Sequence, residues 1–351
     1  MEAFFDKPTV ADLLLWYASN KRDLPWRRTR DPYCIWLSEI MLQQTRVEAV
    51  KPYYARFLEV CPTVRELANL PEERLLKLWE GLGYYSRARN LQKAARVVVE
   101  QYGGEMPRAY GDLLALPGIG EYTAGAIASI AYNERVPAID GNVLRVLARV
   151  SGSREEITKD DTKRRWRERL ALSVPAQAGD FTQSLIELGA TVCVPNGEAK
   201  CEICPLREVC VARREGSIDE IPVRSAKKPR RIEARTVLIL QDGERTALCK
   251  RPPKGLLAGL YELPNRPGHL TAEELPSLIR SLGFEPLQIQ RLEDAKHIFS
   301  HIEWHMIAYA VRISPEFDGW HDTSGMLLVQ NDDLHQNYAI PSAFSAYVKY
   351  L

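Results

Sequence analysis

The sequence predicts a multidomain chain, all-α over roughly its first 215 residues and α+β after that. Three observations carry this. Apolar residues recur at helical spacing from Val10 to Tyr132 and again beyond Asp140. Composition changes between 213 and 231, where Gly216, Pro222, Pro229 and the basic run Lys227-Lys228-Pro229-Arg230-Arg231 fall. Past that point, short runs rich in β-branched and aromatic residues alternate with turn residues. At 351 residues, 45% apolar and 26% charged, the chain is long enough for two sizeable cores and is not disordered throughout. A net charge of +1 announces no polyanion partner, so a nucleic-acid site has to come from local clustering of Lys and Arg. The sequence has neither 18 consecutive apolar residues nor a basic start followed by an apolar core. No membrane span, no signal peptide and a cytoplasmic location are therefore expected.

Taken in order, a first helix begins at Val10 and stops at the loop Leu24-Pro25-Trp26-Arg27. Helical spacing resumes over 36–57 (Ile40, Val47, Val50), then over 74–82 and 87–102, with Gly81-Leu82-Gly83-Tyr84-Tyr85 between the last two. An apolar run through Leu113, Leu114 and Leu116 ends at Pro117-Gly118, and a further helix covers 122–131. Helices are expected after Asp140, at 162–174 and at 181–192. We place a helical domain at 1–218, a linker at 219–233 and a second domain at 234–351. Strands in the latter fall at 234–241, 246–250, 261–263, 289–292 and 304–313, with helices at 271–282 and 342–350.

Three stretches carry chemistry. In Leu116-Pro117-Gly118-Ile119-Gly120, two glycines allow a tight hairpin whose outward N–H groups suit a phosphate oxygen; an ordinary helix–helix turn competes evenly. Asp140 stands just before a helical run, where it caps the helix and stays ionised. In Trp36-Leu37-Ser38-Glu39-Ile40-Met41-Leu42-Gln43-Gln44-Thr45-Arg46, Ser38 reads as a cap, and Glu39 and Gln43 share a face among apolar neighbours. Partial desolvation there would raise the Glu39 pKa, as a general acid requires, although spacing alone favours an ordinary first-turn glutamate. Of seven cysteines, Cys34, Cys61 and Cys249 are isolated. Cys193-x7-Cys201-x2-Cys204-x5-Cys210 has the density of a metal site, and spacing alone leaves zinc slightly ahead of a [4Fe–4S] cluster.

LPGIGEYTA followed by DGNV resembles the MutY adenine DNA glycosylases of the helix-hairpin-helix superfamily. The resemblance implies a six-helix module at about 26–133 and a cluster module of 1–25 plus 134–218, with the flipped base between them. It makes Glu39 the acid that protonates adenine N7 and Asp140 the anion that stabilises the sugar cation. Asn142 would bond the acid or its water, and Tyr122 would hold the carboxylate and the sugar. Arg22, Trp26, Arg27, Leu42 and Gln183 would line the adenine pocket. Gln43, Gln44, Thr45, Arg46, Leu82, Tyr84, Gly118 and Gly120 would meet DNA or the opposite base, Tyr84 as an intercalating wedge. Tyr122 stands where related bifunctional enzymes carry a lysine, so a monofunctional glycosylase without efficient lyase activity is expected.

The family carries a [4Fe–4S] cluster, which Cys193, Cys201, Cys204 and Cys210 would hold, with zinc as the alternative. The first spacer is seven residues here rather than the usual six, a small loop-entropy change. Lys200, Arg207, Arg213 and Arg214 near it would meet phosphates. Residues 251–264 resemble the start of a Nudix-like domain, but the helix after them lacks the acidic cluster that holds Mg²⁺ in working hydrolases. Phe299, Ser300 and His301 match the loop that reads 8-oxoguanine. The implied partner is duplex DNA with adenine opposite 8-oxoguanine or guanine, bound by a monomer. A glycosylase for another base, a non-catalytic lesion-binding protein and a nucleotide pyrophosphatase are the rival readings.

Overall fold

The structure, a computed structural model, describes residues 2–225, 229–315 and 325–351. Lys227 and Lys228 of the basic run lie outside the described residues. By compactness the chain divides into two units, Met1–Asn69 with Arg89–Ala226 and Leu70–Ala88 with Lys227–Leu351. The second unit thus includes a stretch of early chain that the boundary drawn at 218 assigns to the helical domain.

In the first unit the helices are α1 Lys7–Asn20, α2 Pro32–Leu42, α3 Val47–Val60, α4 Val64–Asn69, and then, with α5 Glu72–Leu78 set apart, α6 Ser86–Tyr102. They continue as α7 Tyr110–Ala115, α8 Glu121–Tyr132, α9 Gly141–Ser151, α10 Asp160–Ala171, α11 Ala178–Thr191 and the single turn α12 Val211–Arg214. The expected helix over 36–57 is two helices. Asp31 caps the first, its carboxylate accepting from the N–H groups of Tyr33 and Cys34, and Pro32 sits at the first position. Ser38 is therefore no cap, and Glu39 lies near the C-terminal end of α2. The break falls at Gln43–Arg46, where Gln44 takes φ +59°. One core gathers Val10 and Leu13 of α1 with Val143, Val146 and Leu147 of α9 and Phe181, Leu185 and Leu188 of α11. The chain from 219 to 223 packs here too: Ile221 is buried and Arg149 Nε donates to its carbonyl at 2.9 Å, so the linker is shorter than expected.

Among the described residues the second unit is a mixed eight-stranded sheet ordered β3-β2-β1-β7-β5. Its strands are β1 Arg231–Gln241, β2 Arg245–Lys250, β3 Tyr261–Glu262, β4 Asn265–Pro267, β5 Pro286–Arg291, β6 Ala295–Ile298, β7 Ile302–Ile313 and β8 Met326–Gln330. β4, β6 and β8 pair with β1, β7 and β2 respectively. β1 and β7 run parallel, from Arg231 opposite Ile302 to Gln241 opposite Arg312. From Thr236 to Leu240 β1 is buried on both faces, as is most of β7. Val237, Ile239, Trp304 and Met306 point to one core, and Leu238, Leu240, Ile307 and Tyr309 to the other. The helix expected over 271–282 is shorter, α13 Leu275–Ser281, because Thr271 and Glu274 form a capping turn ahead of Pro276. A helix α14 Asn331–Asn337 follows β8, and the helix expected over 342–350 is two single 3-10 turns, Ser342–Phe344 and Val348–Tyr350. Among the described residues no helix is long and apolar enough to cross a membrane.

Candidate active site

Helix ends from α2, α8 and α9 converge on a cavity of about 1030 Å³ within the first unit. Glu39 enters from α2, Tyr122 from the first turn of α8, and Asp140 and Asn142 from the start of α9. Glycines make the approach close. A Cβ on Gly189 of α11 would stand 2.6 Å from Asn142 Cβ, and one on Gly179 would stand 2.9 Å from the Ser129 carbonyl of α8.

The two carboxyl groups live in different surroundings. Glu39 is 8% exposed, sits toward the negative end of its helix, and receives the Tyr122 hydroxyl at 2.7 Å. Burial pushes its pKa up to about 7, against the Tyr122 hydrogen bond and with the charge of Asp140 adding to the rise. Asp140 caps α9. Its Oδ1 accepts from the N–H groups of Asn142 at 2.9 Å and Val143 at 2.8 Å, and its Oδ2 from Asn142 Nδ2 at 2.8 Å. Burial raises this pKa as well, but three donors and a helix N-terminus favour the anion. When the pair shares one negative charge, Asp140 is the better place for it and Glu39 keeps the proton. The supporting residues stand the other way round from expectation: Tyr122 holds Glu39, and Asn142 holds Asp140. The cause is local, since Asn142 follows the cap by two residues while the Tyr122 ring reaches across to α2.

Arg22, Trp26, Arg27, Leu42, Gln183 and the break Gln43, Gln44, Thr45 and Arg46 all line the same cavity. Trp26 is on a 3-10 turn, Pro25–Arg27, its ring edge-on to Tyr54 with centroids 5.5 Å apart. Sequence reasoning missed Glu187, whose side chain is fully buried. It accepts from Arg22 Nε at 2.8 Å, Arg22 Nη2 at 2.7 Å and Arg27 Nη2 at 2.7 Å. Burial pushes this carboxyl up, yet the two guanidinium groups overcome it and hold the pKa at about 2. The signal was present, an acid inside the apolar run Leu185-Ile186-Glu187-Leu188 of a buried helix.

At the hairpin, Gly118 takes φ +76° and Gly120 an extended φ of −95°, so only Gly118 needs its freedom. The residue before α8, Gly120, has no side chain to cap the helix. In the second unit, Tyr84 is 46% exposed, whereas Leu82, expected to meet DNA, is buried at 6%. Phe299, Ser300 and His301 turn between β6 and β7. Phe299 packs edge-on to Trp304 at 5.0 Å, while Ser300 and His301 are exposed, Ser300 Oγ lying 3.1 Å from His301 Nδ1. α13 carries no carboxylate.

Cys193, Cys201, Cys204 and Cys210 line one small cavity with Arg149 and the apolar side chains Val150, Leu188, Val192 and Leu206. Arg149 Nη1 donates to Cys193 Sγ at 3.3 Å. Among the described residues no three His, Cys, Asp or Glu side chains converge where a single ion would sit.

Residues 37–171 match the HhH-GPD superfamily of base excision DNA repair proteins, and 235–350 match the NUDIX domain. Fold and site together define a glycosylase-type helical core joined to a Nudix-type domain. Among its relatives, the adenine DNA glycosylase of Mus musculus is 37% identical over 362 residues, covering 86% of this chain and 70% of that protein. The enzyme of Homo sapiens is 37% identical over 356 residues, covering 83% and 64%, and that of Buchnera aphidicola subsp. Baizongia pistaciae 35% over 294, covering 83% and 82%. The chain belongs to the adenine DNA glycosylase family. Of solved structures, a thermostable thymine-DNA glycosylase is 32% identical, with 60% of this chain and 96% of that one aligned at a TM-score of 0.55. Endonuclease III trapped on DNA, 23% identical over 60% and 96% at a TM-score of 0.50, shares the fold.

Proposed function

We propose that this chain excises adenine from duplex DNA where it stands opposite 8-oxoguanine, and more weakly opposite guanine, as a monofunctional glycosylase of base excision repair. The observation that carries the reading is the unlike pair in one cavity, a carboxyl at about 7 held by Tyr122 and a carboxylate held by three N–H groups. With adenine turned out of the stack into that cavity, Glu39 gives its proton to N7. The C1′–N9 bond then breaks and its electron pair leaves with the neutral base. Asp140 stabilises the positive charge left on the sugar. Water adds at C1′ and its proton restores the Glu39 acid. Arg22 and Arg27, kept in place by Glu187, would orient the base, with Trp26, Leu42 and Gln183 forming its walls.

No lysine is among the residues lining the cavity, which supports base release without an imine and hence without efficient strand cleavage. Gly118 and Gly120 would grip phosphate, and Gln43, Gln44, Thr45 and Arg46 the opposite strand. Tyr84 would fill the gap left by the base. Ser300, with His301 beside it, would read the oxidised edge of the opposite purine. We read the chain as a monomer acting on chromosomal DNA in the cytoplasm.

The four cysteines all face one cavity, where they would hold a [4Fe–4S] cluster, with zinc as the alternative. Bound there, the cluster would supply a four-point cross-link that steadies the loop bearing Lys200, Arg207, Arg213 and Arg214. Iron, sulfide and zinc analysis of the purified protein decides between the two.

The activity test is single-turnover base release from duplexes with adenine opposite 8-oxoguanine, guanine, cytosine or thymine, beside Glu39→Gln and Asp140→Asn. Fast release opposite 8-oxoguanine, slower release opposite guanine, and a loss of roughly 10²–10³-fold or more in each variant are expected. Equal release from all four duplexes, or full activity in both variants, contradicts the reading.

A further inference from the structure

The turn that presents Tyr84 is built from inside its own unit. Gly81 and Gly83 take φ +96° and +68°, and Tyr84 itself takes +48°, a left-handed conformation that tyrosine adopts only when its surroundings impose it. Arg87 lies beneath the turn, its Nη2 donating to the carbonyls of Leu82 at 2.9 Å and Gly83 at 3.1 Å. Trp79 Nε1 donates to the same Gly83 carbonyl at 3.1 Å, and the Arg87 guanidinium stands 5.6 Å from the Tyr84 ring centre.

This turn is continuous with α5, and α5 is fixed to the sheet domain by backbone recognition. Lys77 Nζ donates to the Tyr338 carbonyl at 3.0 Å, and Glu80 Oε1 accepts from the Ile340 N–H at 2.7 Å. The two side chains are themselves paired at 2.6 Å. One donor and one acceptor therefore read two backbone groups two residues apart, which an ion pair placed at random on a surface would not do. One turn earlier, Glu73 Oε1 accepts from Tyr261 Oη at 3.1 Å and pairs with Lys250 at 3.3 Å. The Tyr261 ring stands edge-on to Tyr338, with centroids 4.8 Å apart.

We infer that Lys77 and Glu80 are positioning residues for the Tyr84 wedge. They clamp the 338–340 backbone, so the wedge and the Phe299–His301 loop belong to one body although they are far apart in sequence. This rests on the reading of Tyr84 as the residue that enters the duplex. Its consequence is that insertion of the wedge depends on the C-terminal domain being seated, and opposite-base reading reaches the base-release step through the clamp.

The test uses the full chain on duplexes carrying 2-aminopurine beside the adenine mispair. Stopped-flow fluorescence follows unstacking, and single-turnover release is measured opposite 8-oxoguanine and opposite guanine. The variants are Lys77→Met with Glu80→Gln, the exchange Lys77→Glu with Glu80→Lys, and Tyr84→Ala. The exchange keeps an ion pair but turns a carboxylate toward a carbonyl and an ammonium toward an N–H. Both clamp variants are expected to slow unstacking and release opposite 8-oxoguanine by roughly tenfold, with duplex affinity unchanged. Wild-type rates in the exchange variant mean an ordinary surface pair and overturn the proposal, as do wild-type rates in the neutral variant. If Tyr84→Ala also unstacks the duplex at the wild-type rate, the wedge reading beneath the proposal fails first, and the two failures are told apart.

Discussion

At the scale of single residues, the site rests on two carboxyl groups told apart by their donors. Glu39 has one, a tyrosine hydroxyl; Asp140 has three N–H groups and a helix start. The consequence for pH can be signed. Glu39 titrates at about 7 when folded, above its ordinary value, so the native state holds a proton that the unfolded chain releases above about 4.5. Its stabilising contribution is complete below that lower value and is lost as pH rises through the folded one. Glu39→Gln is therefore expected to raise stability at pH 8 by about 2–3 kcal/mol and to leave it unchanged near pH 4, read by denaturant unfolding at both values. Single-turnover base release by the unmodified chain should fall above pH 7 as the acid is lost. Glu187 behaves oppositely, because it bridges two cations. Glu187→Ala leaves Arg22 and Arg27 without a buried counter-charge and is expected to cost about 3–5 kcal/mol of stability, measured by the same unfolding curves.

At the scale of elements, placement follows from helix ends and from glycines at crossings. Gly189 lets α9 lie against α11 so closely that a methyl group would stand 2.6 Å from Asn142 Cβ. Gly189→Ala should push the Asp140 cap out of register, lowering kcat at least roughly tenfold with duplex affinity held, and a fluorescence-anisotropy titration beside single-turnover rates separates the two. Much of this level was legible in the sequence. Asp140 before a helical run reads as a cap, and Pro117-Gly118 reads as a helix stop. The break after Leu42 was not legible, because Gln43-Gln44-Thr45-Arg46 contains neither Gly nor Pro and the apolar spacing carries on through it. The same blind spot put Ser38 at a helix start that Asp31-Pro32 actually provides. Which carboxyl Tyr122 and Asn142 would each hold also escaped, since that depends on how α8 lies against α2, and helical spacing within one element carries no such information.

At the scale of the whole molecule, the sheet unit keeps a Nudix-type topology with a helix α13 that has nothing to hold Mg²⁺. Incubation with nucleoside triphosphates and MgCl₂ should release no pyrophosphate above the uncatalysed background, read by a coupled phosphate assay. The division of the chain was the part least visible beforehand. Sequence reading marks a domain boundary where composition changes, as it does near 213–231, but residues 70–88 are as helical in pattern as their neighbours. The polar partners of Glu73, Lys77 and Glu80 tie them to the later fold.

That assignment has a bearing on synthesis. Lys77 and its partner Tyr338 are 261 residues apart. At typical elongation rates, roughly 13–50 s pass between the emergence of one from the ribosome and that of the other. For that interval Lys77 and Glu80 lack their backbone partners at Tyr338 and Ile340, and a nascent chain halted midway would leave both unclamped. Synthesis of residues 338–340 therefore decides when a part made 261 residues earlier is finished.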